Sequence, residues 1–135
     1  MLLPHGTIVV LVDGEKFELY CNSGDEAQPH LDPQPVPKLD EHNMGSGGHH
    51  QSSSANPDGG MLLEDAHAAG VASYLNKQAT IHAFKHVIVI AAPRTLGELR
   101  RHYNRQLQDV LLGELHKDYC GHPVADILKL LQTSK

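Results

Sequence analysis

The chain predicts an α/β fold: one domain on a five-stranded mixed sheet, strand order 3-2-1-4-5, with helices on both faces. Three observations lead there. Val87-Ile88-Val89-Ile90-Ala91-Ala92 is an unbroken apolar run rich in β-branched residues, the pattern of a strand covered on both faces. Helical segments lie before and after it, and a buried strand feeding a helix is half of a βαβ unit, so part of the sheet is parallel. Upstream, three extended segments joined by short turns read as an antiparallel meander.

Taken in order, Thr7 to Val12 (TIVVLV) is the first strand, and Asp13-Gly14 predicts a tight turn with positive φ. Lys16 to Cys21 alternates, with Phe17, Leu19 and Cys21 on one face and Glu18 and Tyr20 on the other. Ser23-Gly24-Asp25 is a second turn. Leu31 to Leu39 carries Pro33, Pro35 and Pro37, so it is an edge or irregular strand, because proline donates nothing to a central ladder. Asp40 to Gly60 breaks the composition: it is rich in Gly, Ser and His, with Met44 as its one large apolar residue. Such a segment predicts a flexible loop that buries too little surface to offset its ordering entropy.

Met61 to Ala79 reads as a helix with Met61, Ala68, Val71, Ala72, Leu75 and Ala79 as its packing stripe. After the central strand, Pro93 ends the ladder, and Thr95 with Glu98 has the spacing of a capping box. Leu96 and Leu99 share one face of the helix so capped, and Asn104 breaks or bends it. Leu107 to Leu112 is a short helix or turn, and Leu111 to His116 supplies the fifth strand. Pro123 sits in the first turn of a last helix, buried along Val124, Ile127, Leu128 and Leu131. This order, a meander extended by two strands parallel to the first, fits an RNase H-like sheet.

Composition narrows the function. A chain of 135 residues is one domain's length, enough to bury roughly 68% of its unfolded surface. The formal net charge of -5 disfavours general nucleic-acid binding and requires any such contact to use a local basic patch. No apolar run spans a membrane, and the N-terminus lacks the charged and apolar regions of a signal peptide. Two cysteines without metal spacing fit a reducing cytoplasm. Cys21 ends the second strand and Cys120 follows the fifth, and two other strands separate those, so no disulfide is expected between them.

Two clusters suggest chemistry from residue type alone. Arg94, Arg101 and Arg105 fall on one helix face, with Arg100 and Lys85 nearby, as candidates for RNA or phosphate contact. His42, His49 and His50 are candidate ligands for an adventitious Zn or Ni ion; no physiological cofactor is expected. Thr95 and Asp118 read as cap and turn residues, and His122 as flanking the last helix. Asp13 stands at a strand end, where RNase H-type nucleases place a metal-binding carboxylate. It is explained as a turn residue, and no set of partner acids is evident.

The segments HGTIVVLVDGEKFELY, VIVIAAPRTLGELRRHY and GELHKDYCGHPVADIL resemble the bacterial "protein required for attachment to host cells" family over most of the chain. Lys117-Asp118-Tyr119 and His122-Pro123 match its K-D-L-x-x-H-P segment, with Tyr in place of Leu. That family in turn resembles the central domain of archaeal and eukaryotic peptide-release factors. The resemblance implies that Gly47, Gly48 and Gln51 stand where the Gly-Gly-Gln loop places a water for peptidyl-tRNA ester hydrolysis. Here His49 and His50 separate the glycines from the glutamine, so no cleavage above background is expected. The resemblance implies a cytoplasmic ribosome- or RNA-associated module. The alternative is a non-catalytic module that binds another protein, with an indirect role in host attachment.

Overall fold

The computed structural model describes residues 1–39 and 59–134. Among these residues the elements run in chain order: strands β1 (Ile8–Val12), β2 (Phe17–Asn22) and β3 (Leu31–Gln34); helix α1 (Gly59–Thr80); strand β4 (Val87–Ala91); helices α2 (Pro93–Arg100) and α3 (Arg105–Val110); strand β5 (Leu111–Leu115); and helix α4 (Val124–Thr133). The sheet order is β3-β2-β1-β4-β5. β1 pairs antiparallel with β2 and β2 with β3, while β1–β4 and β4–β5 are parallel. Fold class, strand order and mixed sheet all match the sequence expectation.

The layering follows from handedness. β1, β4 and β5 succeed one another in one direction across the sheet, so right-handed crossovers put their helices on the same face. On that face α1 contributes Ala68, Val71, Ala72, Leu75 and Ala79, α2 Leu96 and Leu99, and α3 Leu107, packed on Val10, Val12, Phe17, Leu19, Val87 and Val89. The opposite face, Val9, Leu11, Ile88 and Ile90, is covered by Ile127 and Leu131 of α4 with Leu3. All five residues of β1 and of β4 are buried, as non-alternating runs between two helical layers must be.

Four local expectations need correction. The β1–β2 connection is a four-residue loop, and Gly14 has no positive φ. Instead the Asp13 carboxylate accepts from the Glu15 and Lys16 amides at 2.8 and 2.6 Å and shapes the turn itself. Thr95 does not cap α2. Pro93, with φ preset by its ring, starts the helix two residues earlier behind Ala92, and Thr95 is buried inside it. Arg105 belongs to α3, because Asn104 ends the α2 region and caps the next helix by accepting from the Leu107 amide at 2.8 Å. Pro123 is the cap residue before α4, one position earlier than expected.

Asn22, which the sequence left outside β2, is fully buried. Its amide nitrogen donates to Leu3 O at 2.8 Å, and its oxygen accepts from Gly24 and His30 amides at 2.9 Å. One side chain thus joins the N-terminal segment to the β2–β3 turn.

Candidate functional site

Strand direction fixes where charged groups collect. The carboxyl ends of β1, β4 and β5 lie together, and their amino ends form the opposite rim. The three predicted arginines divide between them. Arg94, in the first turn of α2, lies at the carboxyl end, where its Nη2 is 2.9 Å from Asp65 and its Nε 3.9 Å from Glu64. Its charge is matched by those acids. Arg101, at the far end of α2, and Arg105, at the start of α3, share the amino-end corner.

That corner is rigidly assembled from three helix termini. Asn76 of α1 donates to His102 O at 2.7 Å and accepts from the Asn104 amide at 3.0 Å. The Asn104 side chain also reaches Thr80 Oγ1 at 3.3 Å. Exposed Lys77, Arg101, His102 and Arg105 surround this asparagine bridge. Glu98 takes Arg101 at 3.3 Å and His102 at 3.1 Å, whereas Lys77 and Arg105 meet no carboxylate among the described residues. Exposed Lys77 and Arg105 thus give this corner a local positive charge that the net charge conceals.

The carboxyl end has a different chemistry. The segment after β5 returns across the sheet, where the Gly121 amide donates to Glu18 at 3.1 Å. This brings Asp118 and Cys120 to Asp13, with ligand atoms within 4.8 Å of one another. Burial, then Asp13, Glu18 and Asp118, push the Cys120 thiol up to about 12, and Lys16 opposes them. A neutral thiol between carboxylates is no nucleophile at neutral pH. In ligand type the trio matches a cation site, one that would demand a deprotonated sulfur. Asp13 read as a turn residue and is one, but it also gained partners that sequence distance hid. Tyr119 and His122 stack at 4.4 Å just before α4, so His122 flanks that helix as expected.

Cys21 and Cys120 are both free. The reason differs from the one the sequence offered. Cys120 does return over β1 and β2, but it packs with the α4 layer while Cys21 packs with the α1 layer, so the sheet lies between them. Gly47, Gly48 and Gln51, and with them His42, His49 and His50, lie outside the described residues.

At its β2–β3 edge the molecule also carries a groove of about 730 Å³. Among its lining residues are Phe17, Tyr20, Val36, Leu39 and His67. No described helix is long and apolar enough to cross a membrane. Residues 6–131 match the sequence profile of the family described as bacterial archaeo-eukaryotic release factor family 12. No curated protein matches the chain.

Proposed function

The chain belongs to bacterial archaeo-eukaryotic release factor family 12, and from that premise we propose that it is a cytoplasmic, non-catalytic module that engages RNA on the ribosome. The observation that carries the reading is the family match, which spans nearly the whole chain. The corner formed by Lys77, Arg101 and Arg105 supports it by supplying the local basic patch that an acidic protein needs for a phosphate backbone. The Asn76 bonds to His102 O and to the Asn104 amide hold together the backbone segments that carry these cations, which lowers the ordering cost on binding. Peptidyl-tRNA hydrolysis forms no part of the proposal, because two histidines stand between Gly48 and Gln51.

Co-sedimentation with ribosomes at low and high salt tests the reading. Binding is expected at low salt and is lost as salt rises, since displaced counterions drive it. Arg105→Glu and Lys77→Glu each weaken binding by roughly threefold to tenfold and flatten the salt dependence by about one phosphate contact. Arg94→Glu, removing a cation already matched by Asp65, has a smaller effect. No binding at low salt, or binding that ignores both corner reversals, overturns the proposal.

A further inference from the structure

The carboxyl end of the sheet gathers ligand atoms that the ribosome reading leaves unused. Asp13 follows β1, whereas Asp118 and Cys120 come from the segment between β5 and α4. A carboxylate oxygen from each acid and the Cys120 sulfur all lie within 4.8 Å of one another. Asp13 Oδ1 is held by the Glu15 and Lys16 amides at 2.8 and 2.6 Å, which fixes the carboxylate and leaves Oδ2 as its open oxygen. No hydrogen bond or ion pair among the described residues holds the Asp118 carboxylate or the Cys120 thiol.

Contacts outside the trio keep it assembled. The Gly121 amide donates to Glu18 of β2 at 3.1 Å, and the His122 amide to Tyr119 O at 3.1 Å. Gly121 turns the chain at a φ of 84°, a conformation open to glycine. Tyr119 and Cys120 pack on the core layer of Ile127 and Leu131. The fold therefore holds two carboxylates against a sulfur, with Lys16 as the nearby cation. The acids that keep this thiol protonated are also the groups that attract a dication. A dication reverses their effect, because a coordinated sulfur is a thiolate.

We propose that Asp13, Asp118 and Cys120 form a binding site for Zn²⁺. The donor set chooses the ion. Mg²⁺ and Ca²⁺ take oxygen shells, whereas a sulfur joined to carboxylate oxygens suits zinc. A tetrahedral zinc shell sets neighbouring sulfur and oxygen ligands roughly 3.3 to 3.5 Å apart, so small side-chain movements close the trio around an ion. On binding, the S–H bond of Cys120 gives way to a sulfur–zinc bond and its proton goes to solvent. Three protein ligands leave the fourth position to water. Such an ion clips the segment after β5 to the end of β1, two places far apart in the sequence. This inference is independent of the ribosome reading, which rests on the opposite rim.

Titration of the full, reduced chain with Co²⁺ tests it, with circular dichroism confirming the fold of each variant. A cobalt–thiolate bond gives a near-ultraviolet charge-transfer band that imidazole and carboxylate ligands do not. The unmodified protein is expected to develop this band with Co²⁺ and to lose it when Zn²⁺ displaces the cobalt. Cys120→Ser abolishes the band, and Cys21→Ser leaves it unchanged. Asp13→Asn and Asp118→Asn each weaken the affinity read from the band by about tenfold or more. Asp13→Asn keeps an oxygen for the two turn amides, so its effect falls on the ion. Co²⁺ uptake without the band, as an adventitious ion on His42, His49 and His50 would give, overturns the proposal. So does a band that survives Cys120→Ser, or an affinity indifferent to both aspartate substitutions.

Discussion

Asn22 shows how much one buried amide can organise. Replacing it by Leu leaves the Gly24 and His30 amides and Leu3 O without the partners they hold now. We expect a loss of about 3 kcal/mol in urea unfolding, the scale of several buried groups left unpaired. Asn22→Asp is no milder, since it sets a carboxylate against a carbonyl oxygen. Cys120 gives a second residue-scale prediction. Its thiol is held up to about 12, so thiol reagents label it slowly at pH 8 in the folded protein and rapidly in urea. Asp118→Asn removes one raising charge and speeds folded-state labelling. The sign for stability follows. Unfolded, the thiol ionises near its ordinary value; folded, it stays protonated. Its contribution is therefore complete below about pH 8.5 and declines as pH rises toward about 12. Neither residue was legible in the sequence. Asn22 falls unassigned between the strand read as ending at Cys21 and the turn read from Ser23, and the neighbours of Asp13 arrive from the distant end of the chain.

At the scale of elements, apolar runs and their period placed the strands and helices correctly, because burial decides those patterns. Helix starts were less legible, because alternative caps compete locally. Thr95 and Glu98 had capping-box spacing, yet Pro93 is already helical and Glu98 serves Arg101 and His102 instead. Asn104 is the side-chain cap in this region. Asn104→Ala is expected to cost about 1–2 kcal/mol, and it also removes the contact to Thr80 Oγ1, while the bond to Asn76, made by the Asn104 backbone amide, remains. In a double-mutant cycle with Thr80→Ala the losses are less than additive, since both substitutions cut the same side-chain contact. Asn76→Ala, which cuts the bonds to His102 O and to the Asn104 amide, is expected to weaken ribosome co-sedimentation though it removes no charge.

For the whole molecule, strand order and the division into two layers followed from counting crossovers, and the structure agrees. The distribution of charge did not follow from counting. A net charge of -5 conceals an acidic rim bearing Asp13, Glu64, Asp65 and Asp118 and a corner bearing Lys77, Arg101 and Arg105. Arg94 and Arg105 looked like neighbours on one helix, yet the strand direction and the Asn104 break send them to opposite ends.

The prolines of the β3 edge bear on how large an assembly this sheet can build. A sheet able to pair at both edges has a valence of two and grows without limit; one that pairs at a single edge has a valence of one and stops. Pro33, with Pro35 and Pro37 beyond it, caps one side by removing donors, at no cost to the bonds that Asp32 and Gln34 make inward. Pro33→Thr with Pro35→Thr restores two outward amides and with them an edge able to pair. Sedimentation velocity of that variant is expected to show larger species than the unmodified chain forms, increasing with concentration.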